Sequence, residues 1–255
     1  MAAVRYDRGT VVITDVDRLP FGSWDSKNKC FRAEGMRYQE VLEYLERRGI
    51  TYTDEALAVS DVPAMRDDIE LRDYQREALD AWWESKRGVV ELPTGSGKSF
   101  VALRAILDVA VPTFIVVPTI DLMEQWRRWV REVLGVETGM VGGGDHSVMP
   151  ITVATYDSAA IHAERLGNRF MFIVFDEVHH LPAPSYKQIA EMFVAPYRLG
   201  LTATFERDDG AHLELPRLVG GLVYRRAADD LTGKHLSPYV HERVLVDLLP
   251  EEREA

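Results

Sequence analysis

Leu92-Pro93-Thr94-Gly95-Ser96-Gly97-Lys98-Ser99 is the stretch whose reading decides the fold. It follows a short apolar run, Val89-Val90-Glu91-Leu92, and precedes a helical pattern that begins at Phe100. Strand, glycine-rich loop, Gly-Lys-Ser and helix is the order that cradles a nucleotide's phosphates. Two glycines let the loop turn its backbone N–H groups onto phosphate oxygens, because no Cβ blocks them. The helix that follows points its partial positive end at the same anion. Lys98 can reach the terminal phosphates, and Ser99 offers a hydroxyl to Mg²⁺. The pattern departs from the usual one at its first position, where Leu92 stands in place of glycine. An ordinary Gly-Ser turn before a helix is the competing reading.

Outward from this loop, short apolar runs alternate with helical patterns. The runs are 89–92, 113–117, 151–154, 170–175 and 197–201; the helical patterns are 100–109, 121–134, 158–166 and 186–193. A further helix opens at Leu71-Arg72-Asp73-Tyr74-Gln75 and runs to about Lys86. Such alternation predicts a parallel sheet with helices on both faces. Sheets of this kind bind ligands at the carboxyl ends of their strands, where the glycine-rich loop lies.

The run 170–175 ends in Asp176-Glu177-Val178-His179-His180. Paired carboxylates at a strand's carboxyl end suit a Mg²⁺-nucleotide site: Asp176 can hold the metal, and Glu177 can orient and deprotonate the attacking water. A solvated acidic turn is the alternative when the pair is read alone. The adjacent histidines lack a third ligand at metal-site spacing. Together the phosphate loop and the acidic strand end fit one nucleotide-hydrolysing sheet. A third strand exit, Leu201-Thr202-Ala203-Thr204, sets two hydroxyls where they can bond to the acidic cluster and report nucleotide state.

Residues 1–61 read as a small α+β unit. Val11-Val12-Ile13 is a strand, Phe21 to Ala33 reads as a hairpin around the polar turn 25–28, and Tyr38, Val41, Leu42 and Leu45 recur at helical spacing. Trp24, Phe31 and Tyr38 are expected in the core rather than stacked on bases. Polar residues with Pro63 mark a boundary, with a linker at 62–70 before a large unit spanning 71–250.

The chain has 255 residues, 46% hydrophobic and 28% charged, which suits folded globular protein. No apolar run approaches the ~20 residues of a membrane span. The start, Met1-Ala2-Ala3-Val4-Arg5, carries no secretory apolar region. The single cysteine, Cys30, excludes an internal disulfide, fits a reducing interior and reads as a small buried hydrophobe. A net charge of −11 argues against nucleic-acid binding through bulk positive charge, while leaving room for a partner gripped locally by backbone N–H groups and hydroxyls.

In this order the motifs resemble the first motor domain of superfamily 2 helicases. Gln75 looks like the glutamine that reads adenine, Lys98 and its loop like motif I, and Ile115-Val116-Val117-Pro118-Thr119 with Gln125-Trp126 like motif Ia. Thr152-Val153-Ala154-Thr155-Tyr156 resembles the next nucleic-acid-contacting motif, Asp176-Glu177-Val178-His179 resembles motif II, and Leu201 to Thr204 resembles motif III. The chain is further similar to the XPB-type DNA repair helicases. That likeness rests on Lys98-Ser99, Asp176 to His180, Arg207-Asp208-Asp209 and Gly233-Lys234-His235-Leu236. The family's triplet reads Arg-Glu-Asp, so one carboxylate here has a shorter stem. The N-terminal unit looks like that family's damage-recognition domain.

The resemblance implies a RecA-like, P-loop NTPase sheet and an ATP-dependent DNA helicase or translocase of 3′-5′ polarity acting in DNA repair. It implies ATP and Mg²⁺ as cofactors. The nucleotide would be held by Arg72, Gln75, Pro93, Thr94, Gly95, Ser96, Gly97, Lys98 and Ser99. Lys98, Asp176 and Glu177 would be catalytic, Ser99 and Asp176 would hold Mg²⁺, and His179, Thr202 and Thr204 would couple nucleotide state to motion. Thr119, Gln125, Thr155, Arg207, Asp208 and Asp209 would meet DNA. The implied partners are double-stranded or forked DNA, a second RecA-like domain and a repair nuclease or other repair proteins, without a membrane; the implied location is intracellular, cytoplasmic or nuclear. Such motors place ATP between two RecA-like domains, and after the strand-like Arg243-Val244-Leu245-Val246 the remaining length cannot hold a second one. ATP binding with little hydrolysis by this chain alone is therefore expected. Another superfamily 2 motor, of restriction or RNA-helicase type, and a non-catalytic nucleotide-gated clamp on DNA are the alternatives.

Overall fold

The structure, a computed structural model, describes residues 1–231. Gly233 to Leu236 and Arg243 to Val246 lie outside the described residues. No helix among the described residues is long and apolar enough to cross a membrane.

The N-terminal unit is a five-stranded sheet with one helix. Its strands are β1 (Ala2–Asp7), β2 (Thr10–Thr14), β3 (Ser23–Asp25), β4 (Cys30–Glu34) and β5 (Tyr52–Glu55), in the order β3-β4-β2-β1-β5. Only the β1–β5 pair is parallel, because α1 (Tyr38–Arg47) carries the chain across between them. Val4, Val11, Ile13, Tyr38, Val41 and Leu45 form its core, and Cys30 is buried as expected. Trp24 is not core: it is 54% exposed on edge strand β3, its ring tilted against half-buried Phe31 with 5.0 Å between centroids. A three-residue edge strand has no second layer to cover such a ring.

Residues 56–72 form neither helix nor strand, yet the path is anchored. Asn168 Nδ2 donates to the Ala56 carbonyl, the Ala58 N–H to the Asn168 carbonyl, and the Arg66 N–H to the Leu134 carbonyl.

After α2 (Asp73–Ser85) the large sheet begins. Its strands are β6 (Arg87–Glu91), β7 (Thr113–Val117), β8 (Gly139–Gly142), β9 (Asp145–Ser147), β10 (Ile151–Thr155), β11 (Phe172–Asp176), β12 (Tyr197–Thr202) and β13 (Leu222–Arg225). Their order is β13-β6-β12-β11-β7-β10-β8-β9, parallel throughout except at the β8–β9 hairpin. The helices are α3 (Lys98–Val109), α4 (Ile120–Trp129), α5 (Tyr156–Leu166), α6 (Lys187–Met192), α7 (Leu215–Leu218) and α8 (Ala228–Leu231). Successive residues of a strand face opposite sides. In β7, Ile115 and Val117 join the core under α2, α3 and α4, while Phe114 and Val116 join the core under α5, α6 and α7. Both faces are thus covered, which is why β7, β10 and β11 are buried along their whole length.

The two sheets are joined by a tight seam. Tyr6 Oη donates to the carbonyls of Ala163 and Met192 at 3.3 and 3.1 Å, and Arg217 bridges Glu34 and Glu191. A Cβ built on Gly35 would lie 2.2 Å from the Met192 carbonyl oxygen, so only glycine permits this approach.

Candidate nucleotide site

Strand register brings the motifs to one edge. Thr202 aligns with Glu91, Asp176 with Leu201, and Thr155 with Val117. The loop after β6, the acidic pair after β11 and the threonines after β12 therefore leave the sheet together, with β12 between the other two.

The loop is built for an anion. Gly95 and Gly97 both hold φ +78°, a left-handed conformation that side chains resist. A Cβ on Gly97 would meet Gln75 Nε2 at 2.7 Å. Gly97 caps α3 without a side-chain acceptor, so the first N–H groups of that helix have no side-chain cap. Ser96 Oγ donates to the Pro93 carbonyl at 2.6 Å and braces the turn. Tyr74 Oη and Gln75 Nε2 both donate to the buried Ser96 carbonyl, at 2.6 and 2.9 Å. Gln75 Oε1 accepts from the Arg72 N–H, so this amide clamps the loop to the start of α2. Thr94 and Gly95 are exposed and Ser99 half-buried on the first turn of α3.

Lys98 is 8% exposed, and its Nζ donates to the Leu92 carbonyl at 3.1 Å. Burial lowers its pKa, and the nearby charges of Glu177 and Asp176 oppose that shift. The lysine and the acidic pair thus lie within electrostatic reach of each other, as a shared ligand requires.

Asp176 is 7% exposed. Its Oδ2 accepts from Trp126 Nε1 at 2.8 Å and its Oδ1 from the Glu177 N–H at 3.1 Å. Tyr156 Oη donates to its backbone carbonyl. Burial raises the Asp176 pKa, and the Trp126 bond pulls it back. Glu177 holds φ +48°, a strained left-handed turn for a non-glycine residue.

Thr202 does not bond to a carboxylate, contrary to the expectation from sequence. The His179 ring stands between: its Nδ1 is 3.1 Å from Thr202 Oγ1 and 3.5 Å from Glu177 Oε2. Burial, followed by the neighbouring His180, pushes the His179 pKa down to about 4, so the ring is neutral at pH 7. Thr204 joins through its backbone, with Thr202 Oγ1 donating to its carbonyl and accepting from its N–H. Arg207 reaches back to the same element, donating to the His179 carbonyl at 3.0 Å while pairing with Asp209. Its guanidinium is directed at the protein, while Asp208 and Asp209 are both exposed.

The remaining candidates lie at the neighbouring strand ends. Thr119 and Thr155 are the N-caps of α4 and α5, accepting from the N–H groups of Leu122 and Ser158. Thr119 is exposed, Gln125 half-buried and Thr155 only 8% exposed. Sequence reading named Trp126 and Tyr156 only within motifs and Tyr74 only within a helix, and it missed what they bond to. Their polar atoms bond to motif atoms 20 or more positions away, a relation without a local pattern.

Residues 68–207, more than half of the chain, match the family model described as type III restriction enzyme, res subunit. Residues 4–56 match the xeroderma pigmentosum group B helicase damage recognition domain. The chain is 44% identical over 253 residues to the DNA 3′-5′ translocase XPB2 of Sulfurisphaera tokodaii, across 99% of this chain and 57% of that relative. It is 33% identical to the DNA 3′-5′ helicase XPB of Mycobacterium tuberculosis, across 72% of this chain and 36% of that relative. The chain therefore spans just over half of the first relative's length and less of the second. Among solved structures, the UvsW helicase of bacteriophage T4 aligns with a TM-score of 0.52 at 17% identity, covering 88% of this chain and 99% of that one. The Hef helicase domain of Pyrococcus furiosus aligns with a TM-score of 0.53 at 21% identity, across 64% of this chain and 39% of that one. These two show the fold, a RecA-like helicase sheet.

Proposed function

The chain belongs to the family described as type III restriction enzyme, res subunit, with an XPB-type domain order, and from that premise we propose that it is the ATP-binding part of an ATP-dependent DNA helicase or translocase acting in DNA repair. The observation that carries the reading is that the Lys98 loop and the Asp176–Glu177 pair leave one sheet edge on strands separated only by β12, with no side-chain cap on the helix start at Lys98.

Lys98 reaches the terminal phosphates, and the N–H groups of residues 95–99 line their oxygens. Gln75 and Arg72 stand on the adenine side. Ser99 and Asp176 would hold Mg²⁺, which would neutralise charge building on the phosphates. Glu177 orients the attacking water and accepts its proton. His179, Thr202 and Thr204 carry the state of this turn to the segment with Arg207, Asp208 and Asp209. Thr119, Gln125 and Thr155, with the helix starts that the two threonines cap, face the DNA track and hold it by phosphate contacts rather than bulk charge. Double-stranded or forked DNA, a second RecA-like domain and other repair proteins are the proposed partners, in an intracellular setting, cytoplasmic or nuclear. The proposed division is 1–61 for the DNA-recognition unit, 62–70 for the connection and 71–250 for the motor domain. Turnover depends on groups from a second RecA-like domain, worth about 10³–10⁵ in rate in related enzymes.

The test is equilibrium binding of a fluorescent ATP analogue with Mg²⁺, with steady-state hydrolysis followed on DNA. Binding that falls about a hundredfold in Lys98→Ala supports the reading; equal binding by the variant overturns it.

A further inference from the structure

The Trp126 indole is fully buried, and its N–H does not point into apolar core but at one oxygen of the carboxylate on the opposite wall of the nucleotide edge. Its ring is fixed on two sides, edge-on to Trp129 with 5.6 Å between centroids and within the core formed by Met123, Val130 and Val153. The other Asp176 oxygen is engaged by the Glu177 N–H, and the Asp176 backbone by Tyr156. A short acidic side chain has two free torsions, and here a donor meets each oxygen. We propose that Trp126 is a positioning residue: its indole N–H sets the orientation of the Asp176 carboxylate toward Mg²⁺, without touching metal or nucleotide itself. The inference rests on the ATP–Mg²⁺ reading of the site.

The geometry gives the role a further reach. Trp126 belongs to α4, whose N-cap is the exposed Thr119 and which carries Gln125. The indole is thus a rigid rod between the helix proposed to face DNA and the carboxylate proposed to hold the metal. Partners that orient metal-ligating groups are worth about 10–100-fold in metal affinity. A neutral N–H donor belongs at the lower end of that range.

The experiment is Trp126→Phe, which keeps a large flat ring and deletes the donor. A fluorescent ATP analogue is titrated first in EDTA and then with increasing Mg²⁺. The expected result is metal-free affinity within twofold of the parent chain, with the Mg²⁺ concentration at half effect raised about tenfold. An unchanged Mg²⁺ half-point, or equal losses with and without metal, overturns the proposal. Were the parent chain to bind no ATP at all, the nucleotide reading itself would fall, a distinct outcome. If Trp126→Phe does not fold, the parent chain decides by NMR. The Trp126 indole N–H resonance, assigned by elimination against phenylalanine variants at the other four tryptophans, should move when Mg²⁺ joins bound ATP. It should stay in place with ATP in EDTA; a resonance indifferent to Mg²⁺ overturns the assignment.

Discussion

Two arginines, one in each sheet, show how differently the two units of this molecule treat charge. Arg32, in the N-terminal sheet, pairs with Asp7 and Asp25 at 2.8 and 3.0 Å, and a quarter of its side chain meets solvent. Arg198, on β12 of the large sheet, is 0% exposed and donates to four backbone carbonyls, those of Ala190, Phe193, Ala195 and Leu218. Burial pushes its pKa well down, and the carbonyls at the ends of α6 and α7 offset the cost of desolvation. The small sheet keeps its ionic contacts at the rim, where water screens them. In the large sheet Arg198 lies inside, at the amino end of β12, where it ties that strand to the chain around α6 and α7 at the edge opposite the motifs.

The comparison breaks most decisively at Arg198. Arg198→Ala leaves four buried carbonyls without their donor and should destabilise by about 4 kcal/mol, on the order of 10 °C in melting temperature. A loss under about 1 kcal/mol in thermal or urea unfolding would remove the contrast. Lys98→Ala comes next, with a loss of about 2–3 kcal/mol in nucleotide binding, close to a hundredfold, by equilibrium titration. Arg32→Ala should cost only about 0.5–1 kcal/mol by urea midpoint, since its pairs are partly screened. The smallest effect is a pH dependence at Asp25. Hydrogen bonds from Asn28, and then Arg32, lower its pKa to about 2. A lowered folded-state value stabilises above the unfolded pKa of about 3.9. The penalty of Asp25→Asn should therefore be constant from pH 7 to about 4 and vanish as pH falls through about 2.

Legibility from sequence follows the same contrast. Strands covered on both faces, such as Thr113–Val117 and Ile151–Thr155, are apolar runs bounded by turns, and reading found them within a residue or two. β1 escaped notice because its apolar side is only Ala2, Val4 and Tyr6, with Arg5 and Asp7 on the other face, and its pairing is decided by β2 and β5. β8 and β9 hid behind Gly139, Gly142, Gly143 and Gly144, whose open backbone gives no strand signal. Trp24 looked like core and lies on an edge, since burial of a lone aromatic depends on a neighbouring layer. The loop and the acidic pair were legible because phosphate chemistry demands adjacent residues. The bonds of Trp126 and Arg198 were not, because their partners are chosen by the fold.

The seam at Gly35 and Tyr6 has a consequence for how the two sheets are held. With the Met192 carbonyl occupying the space a side chain would need, and Tyr6 bolted to two backbone oxygens, the small sheet has no room to swivel. A side chain at position 35 would have to push the two sheets apart before either could keep its present place.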